Sequence, residues 1–152
     1  MRRLTISIFL MILSLALCAA AKDETVDEMK LRFEKARAEE RPQLGIRIAQ
    51  QQLHNADKLY NDGKVDEARA AVDDIVAYSE KASDAATQTK KHLKDVEIDA
   101  RKMAEKLRDI KRTLAFEDQP PVEQAIRSLE EIRTTLLKEM FAKDDKNKKE
   151  KK

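Results

Sequence analysis

Between Val65 and Leu114, small or apolar residues recur at alternating steps of three and four. They are Val65, Ala68, Val72, Ile75, Ser79, Ala82, Ala86, Thr89, Leu93, Val96, Ala100, Met103, Leu107, Ile110 and Leu114. No glycine or proline interrupts the chain between Val65 and Gln119. Such spacing holds one stripe on one face of a slightly supercoiled helix. It predicts a single helix over residues 65–116, about 75–80 Å long at ~1.5 Å per residue. A lone helix of that kind is weak in water, so other segments must pack along it. The stripe is large at both ends and small in the middle, at Ser79, Ala82, Ala86 and Thr89. Small seam residues either admit a close backbone approach or leave a thin waist; the expectation here is a waist.

Two shorter helical regions flank this span. Residues 23–61 carry two stripes, one through Val26, Met29, Phe33 and Ala36 and one through Ile46, Ala49, Leu53, Ala56 and Tyr60. They are out of phase, and Pro42 lies at the change, which predicts a kink or short break near Arg41. Gly45 is expected to loosen the helix locally. Downstream, Pro120 and Pro121 end the long helix and can start the next. Residues 121–142 then show a wide apolar face through Val122, Ala125, Ile126, Leu129, Ile132, Leu136, Leu137, Met140 and Phe141. Residues 143–152 contain no apolar side chain and are expected to be disordered. The expected fold is all-α: an elongated three-helix antiparallel bundle built on the one long helix.

Asn61-Asp62-Gly63 should close the first helical region, with Gly63 as a left-handed cap. Around it, Tyr60, Gly63, Ala68, Val72 and Ile75 fall at the spacing of a tetratricopeptide hairpin. Residues 46–76 therefore resemble one such repeat. An array would need self-similarity at a period of about 34. One period forward from Gly63 and Ala68 stand Glu97 and Lys102; one period back stand Met29 and Glu34. The resemblance implies a single hairpin, without the peptide groove of a repeat array.

The first residues read as an address. Arg2 and Arg3 precede an apolar run at 5–17, and Ala19, Ala20 and Ala21 fit a small-residue cleavage rule. Residues 1–21 are thus expected to be a cleaved secretory signal, with a mature start at Lys22. Cys18 is the sole cysteine, and Leu15, Ala16 and Leu17 before it resemble a bacterial lipobox, with Leu17 departing from the usual small residue. Lipidation at Cys18 is the alternative processing. Arg2 and Arg3 account for the whole formal charge of +2, so the remainder is neutral, with 29 residues of each sign. A neutral surface excludes nucleic acid as a partner on composition. Membrane contact would come from the signal, a lipid on Cys18 or the lysine-rich tail.

Catalytic constellations are missing from the pattern. His54 and His92 lack the glutamates three residues earlier that a di-iron bundle requires; Gln51 and Thr89 stand there. A calcium loop centred on Gly63 would need Lys58, Tyr60 and Arg69 as ligands, which is chemically excluded. Two isolated glycines make no phosphate loop. Glu39-Glu40, Asp73-Asp74 and Glu130-Glu131 are acidic pairs, but neighbours on a helix diverge by about 100°. No cofactor or metal is implied, and the chain reads as a non-enzyme. The expectation is an exported interaction or adaptor protein of the bacterial envelope, periplasmic or secreted. The alternatives are a chaperone-like holdase and a lipid-anchored spacer. Val76, Tyr78, Ile126, Leu137 and Phe141 are the candidate partner-binding residues.

Overall fold

The computed structural model describes the backbone of residues 24–150 and the side chains of residues 24–142. The expected signal at 1–21 and Cys18 lie outside the described residues. Helix α1, Val26–Lys35, begins with a capping box: Glu28 N–H donates to Thr25 Oγ1 at 3.3 Å, and Thr25 N–H donates to Glu28 Oε2 at 2.9 Å. Asp27 and Glu28 in its first turn also suit the positive end of the helix dipole. The chain turns extended at Ala36 (ψ 147°), and α2 follows as Arg41–Asn61. The interruption is a full break ahead of Pro42, which sits in the first turn of α2 where its missing N–H costs nothing. Arg41 ties the two helices together, with Nε donating to the carbonyl of Ala36 at 3.1 Å.

Helix α2 ends in a Schellman turn. Gly63 N–H donates to Tyr60 at 3.1 Å, Lys64 N–H donates to Leu59 at 2.9 Å, and Gly63 adopts φ 73°. Helix α3, Val65–Thr89, returns antiparallel along α2. At Gly45, an added Cβ would stand 2.9 Å from the carbonyl oxygen of Tyr78 and 3.0 Å from Ala82 Cβ. Gly45 is therefore a contact point between two helix backbones rather than a loose spot. Ser79, Ala82 and Ala86 are fully buried, so the small seam admits a close approach and is not the expected thin waist.

The expected unbroken helix over 65–116 is two helices. Lys90 (φ 56°) and His92 (φ 61°) take left-handed conformations, and α4 starts anew as Leu93–Thr113. A three-residue turn at 90–92 then reverses the chain. Gln43 Nε2 lies 3.3 Å from His92 Nδ1, and Lys106 Nζ lies 2.8 Å from Asp57, so α4 runs in the direction of α2. Folding back buries Leu93, Val96, Met103, Leu107 and Ile110. Each such side chain contributes ~1.5–3 kcal/mol on burial. Two left-handed non-glycine residues cost only ~1–2 kcal/mol each, so the burial decides the outcome.

Helix α4 stops where Leu114 turns extended (ψ 151°), and a 3-10 turn, Phe116–Asp118, leads into α5, Gln119–Glu150. Gln119 Nε2 donates to the Leu114 carbonyl at 3.1 Å and braces the corner. Ion pairs Lys111–Glu123 (3.1 Å), Arg108–Glu130 (2.7 Å) and Arg133–Glu97 (2.7 Å) place α5 antiparallel to α4. Arg69–Asp118 and Lys90–Glu139, both 2.7 Å, place it parallel to α3. The last helix passes the expected end at 142 and continues through Glu150. No glycine or proline stops it there, and lysine and glutamate are good helix formers.

The five described α-helices thus form an up-down-up-down bundle of α2 to α5, with α1 laid across the α2–α3 face. It replaces the elongated three-helix arrangement expected from the heptads. One apolar core joins Ile48, Ala49, Val72, Ile75, Met103, Leu107, Val122, Leu129 and Leu136.

Candidate interaction surface

The five sequence-selected positions do not converge. Tyr78 is 7% exposed and packs edge-on against Phe33, centroid to centroid 5.5 Å, with Lys81 Nζ 4.7 Å from its ring centre. It belongs to the α1–α3 contact, and burial pushes its phenol up from the usual range. Val76 is two residues earlier, about 200° around the helix. It is half-buried in a groove of about 470 Å³ between α3 and α5, lined also by Glu80, Pro121, Gln124 and Arg127. Ile126 is buried, Leu137 is half-buried, and Phe141 alone of the five is widely exposed, at 64%.

Sequence reading missed two exposed large apolar side chains. Phe116, 85% exposed, lies in the 3-10 corner that the expected long helix had absorbed. Its position just before Glu117-Asp118-Gln119-Pro120 was the available signal. Leu31, 65% exposed, lies off the buried Met29–Phe33 stripe of α1. With Phe141 at the far end of the bundle from Phe116, the exposed apolar side chains are dispersed.

Charged groups show what the surface is built from. One carboxylate of each acidic pair is held by a cation. Lys91 hydrogen-bonds Glu39 at 2.9 Å and keeps its carboxyl below the usual range. Asp74 accepts from Lys30 and Gln52 where α1, α2 and α3 meet. Arg108 hydrogen-bonds Glu130 and lowers its pKa, with Arg133 adding to the effect. Glu97, 8% exposed, accepts from Arg133 Nε, which raises the guanidinium pKa further. Carboxylates tied in this way are poor proton shuttles. A second groove, about 550 Å³, runs between α2 and α3 past Asn55, Lys58, Asp62, Lys64, Glu67 and Asp74. Its lining mixes both signs of charge.

His54 is exposed, and His92 stands in the α3–α4 turn with Nδ1 3.1 Å from Asp95. Among the described residues no group of three or more histidine, cysteine or acidic side chains is placed to hold a metal ion. No helix among them is long and apolar enough to cross a membrane. Comparison with protein-family models, with curated proteins and with solved structures gives no match.

Proposed function

We propose that the chain is an exported, non-enzymatic bundle of the bacterial envelope that works by binding a protein partner. The observation that carries this reading is the solvent exposure of two large aromatic side chains. One carboxylate of each candidate acidic pair, Glu39, Asp74 and Glu130, is held in an ion pair, while Phe116 and Phe141 stay in solvent. An aromatic side chain that enters a partner's pocket is a common anchor of an interface, and Phe116 and Phe141 offer two separate points of that kind. The amino-terminal pattern of Arg2, Arg3, the apolar run and Ala19-Ala20-Ala21 supports export. The holdase alternative gains less support, because the broad apolar face of α5 is spent on the core at Val122, Ala125, Leu129 and Leu136.

Photo-reactive residues placed at Phe116, Phe141 and Val76 test the binding reading in living cells, with exposed Lys102 and Glu105 as controls. Discrete adducts at the first three positions and none at the controls are expected. Equal labelling everywhere, or none, contradicts the reading. Mass measurement of the exported chain separates a free Lys22 terminus from an acylated Cys18, which would favour an anchored spacer.

A further inference from the structure

The reversal between α3 and α4 is made of residues that resist it. Lys90 and His92 hold φ 56° and 61°, a region that side chains with a Cβ disfavour. The three-four apolar spacing meanwhile runs straight through the bend, from Ala86 and Thr89 to Leu93 and Val96. Residues 86–96 therefore suit a continuous helix in which no residue is left-handed. At the bend itself the side-chain pairs lie at the surface: Lys90 to Glu139 at 2.7 Å, Lys91 to Glu39 at 2.9 Å, and His92 to Asp95 at 3.1 Å. Pairs this exposed contribute little.

The bend also divides the bundle into two parts. Helices α1, α2 and α3 form one, and the α4–α5 hairpin forms the other. Between them pass the ion pairs Lys106–Asp57, Arg69–Asp118 and Lys90–Glu139, and a shared core. The backbone joins them only through residues 90–92.

We infer that the chain can exchange its α4–α5 hairpin with a second copy of itself. In the exchanged dimer, α3, residues 90–92 and α4 form one continuous helix. The second copy's hairpin remakes each contact that this chain's own hairpin makes with α1, α2 and α3. The occupant is specified by that match: the same side chains, in the same register, already fill this face. Exchange removes two left-handed residues from each chain. The inference stands on the bend alone and is independent of the proposed partner binding.

Two hinge variants of the full chain, in a Cys18→Ser background, test it. Lys90→Gly with His92→Gly eases the left-handed bend, whereas Lys90→Ala with His92→Ala favours straight helix. Both remove the same side chains, so their contrast isolates the backbone. After refolding at high protein concentration, light scattering on the separated species should give the alanine form a dimer-to-monomer ratio on the order of tenfold or more above that of the glycine form. To distinguish exchange from side-by-side docking, one copy carries Arg69→Cys and the other Asp118→Cys. A short bismaleimide should then join unlike copies after co-refolding. Equal dimer ratios, or dimers without such cross-links, overturn the inference. If the alanine form does not fold, the natural hinge and the glycine form decide it. Unlike copies must cross-link with the natural hinge and lose that product with glycine; no cross-linking with the natural hinge overturns the inference.

Discussion

Replacing Gly45 with alanine tests the closest helix contact in the bundle. In an exposed helix interior, glycine to alanine stabilises by about 1 kcal/mol, because alanine has the higher helix propensity. At Gly45 the new Cβ meets the Tyr78 carbonyl oxygen at 2.9 Å, Ala82 Cβ at 3.0 Å and Phe33 Cε2 at 3.2 Å. The first of these is backbone and the second is attached directly to backbone, so neither can swing aside. Relief requires α2 and α3 to separate, which loosens Ile48, Ala49 and Ile75 around them. Overpacking of this kind costs ~1–3 kcal/mol. Since the obstacles are rigid, the upper half of that range applies, and the net loss after the propensity gain is ~1–2 kcal/mol. Urea unfolding followed by circular dichroism should show a lower midpoint with an unchanged slope. Ala82→Gly in the Gly45→Ala background should recover part of the loss, since it removes one of the three contacts. A Gly45→Ala variant more stable than the parent would refute the reasoning, because it would mean that α2 and α3 do not touch at this point.

Other substitutions probe the turn and the charged interior. Gly63→Val places a β-branched residue at φ 73° and should destabilise by more than ~1 kcal/mol; because nothing lies within 4 Å of an added Cβ, an unchanged melting curve would count against the turn itself. Arg133→Ala leaves the Glu97 carboxylate buried without its cation and should lower the urea midpoint, by less than the loss of a fully buried partner would because Arg133 is about one-third exposed. Glu97→Leu with Arg133→Met should restore most of that loss, and a neutral Arg133→Ala would exclude an important role for the pair. Stability should also fall at both extremes of pH. Glu39, Glu123 and Glu130 have carboxyls lowered by hydrogen bonds from Lys91, Lys111 and Arg108. Their contribution is complete above the unfolded glutamate value of about 4.3 and is lost as pH falls through the lower folded values. Tyr60 and Tyr78, raised by burial, contribute stability below about pH 10 that is lost as pH rises through their folded values. A urea midpoint that stays flat from pH 7 down to 3 would contradict the acid limb.

The readable parts of the fold were those written in local chemistry. Helical composition, the apolar faces and the Asn61-Asp62-Gly63 turn all rest on neighbours in sequence. The bend at 90–92 does not. Thr89 to Leu93 is a step of four whether the backbone continues as helix or reverses, so the heptads pass through it without a mark. Glycine and proline are absent there, and the charged partners of the bend residues lie far along the chain, at Glu39 and Glu139. A weak local signal existed: Thr87, Gln88, Thr89, Lys90, Lys91 and His92 form a run without an apolar side chain. Thr89, the last residue of α3, donates from Oγ1 to the Ala85 carbonyl at 2.7 Å, a side-chain bond that weakens the helix ladder there. The same non-locality explains the candidate surface. Tyr78 looked free because α1, which covers it with Phe33, was read as one arm of a longer helix. No local apolar pattern marks Phe116, because the corner that exposes it falls at the end of the expected long helix.

The reversal at 90–92 is the claim on which the architecture depends, and a distance measurement reaches it directly. Spin labels at Ala70 and Arg112, both exposed, sit on the first part of α3 and the last part of α4. With the chain folded back, both labels lie at one end of the bundle, and dilute monomer should give a separation under about 30 Å, set by helix axes ~8–10 Å apart and the reach of the labels. An unbroken helix would hold them roughly 60 Å apart at ~1.5 Å per residue, and a monomer distance near that value would contradict the bundle described here.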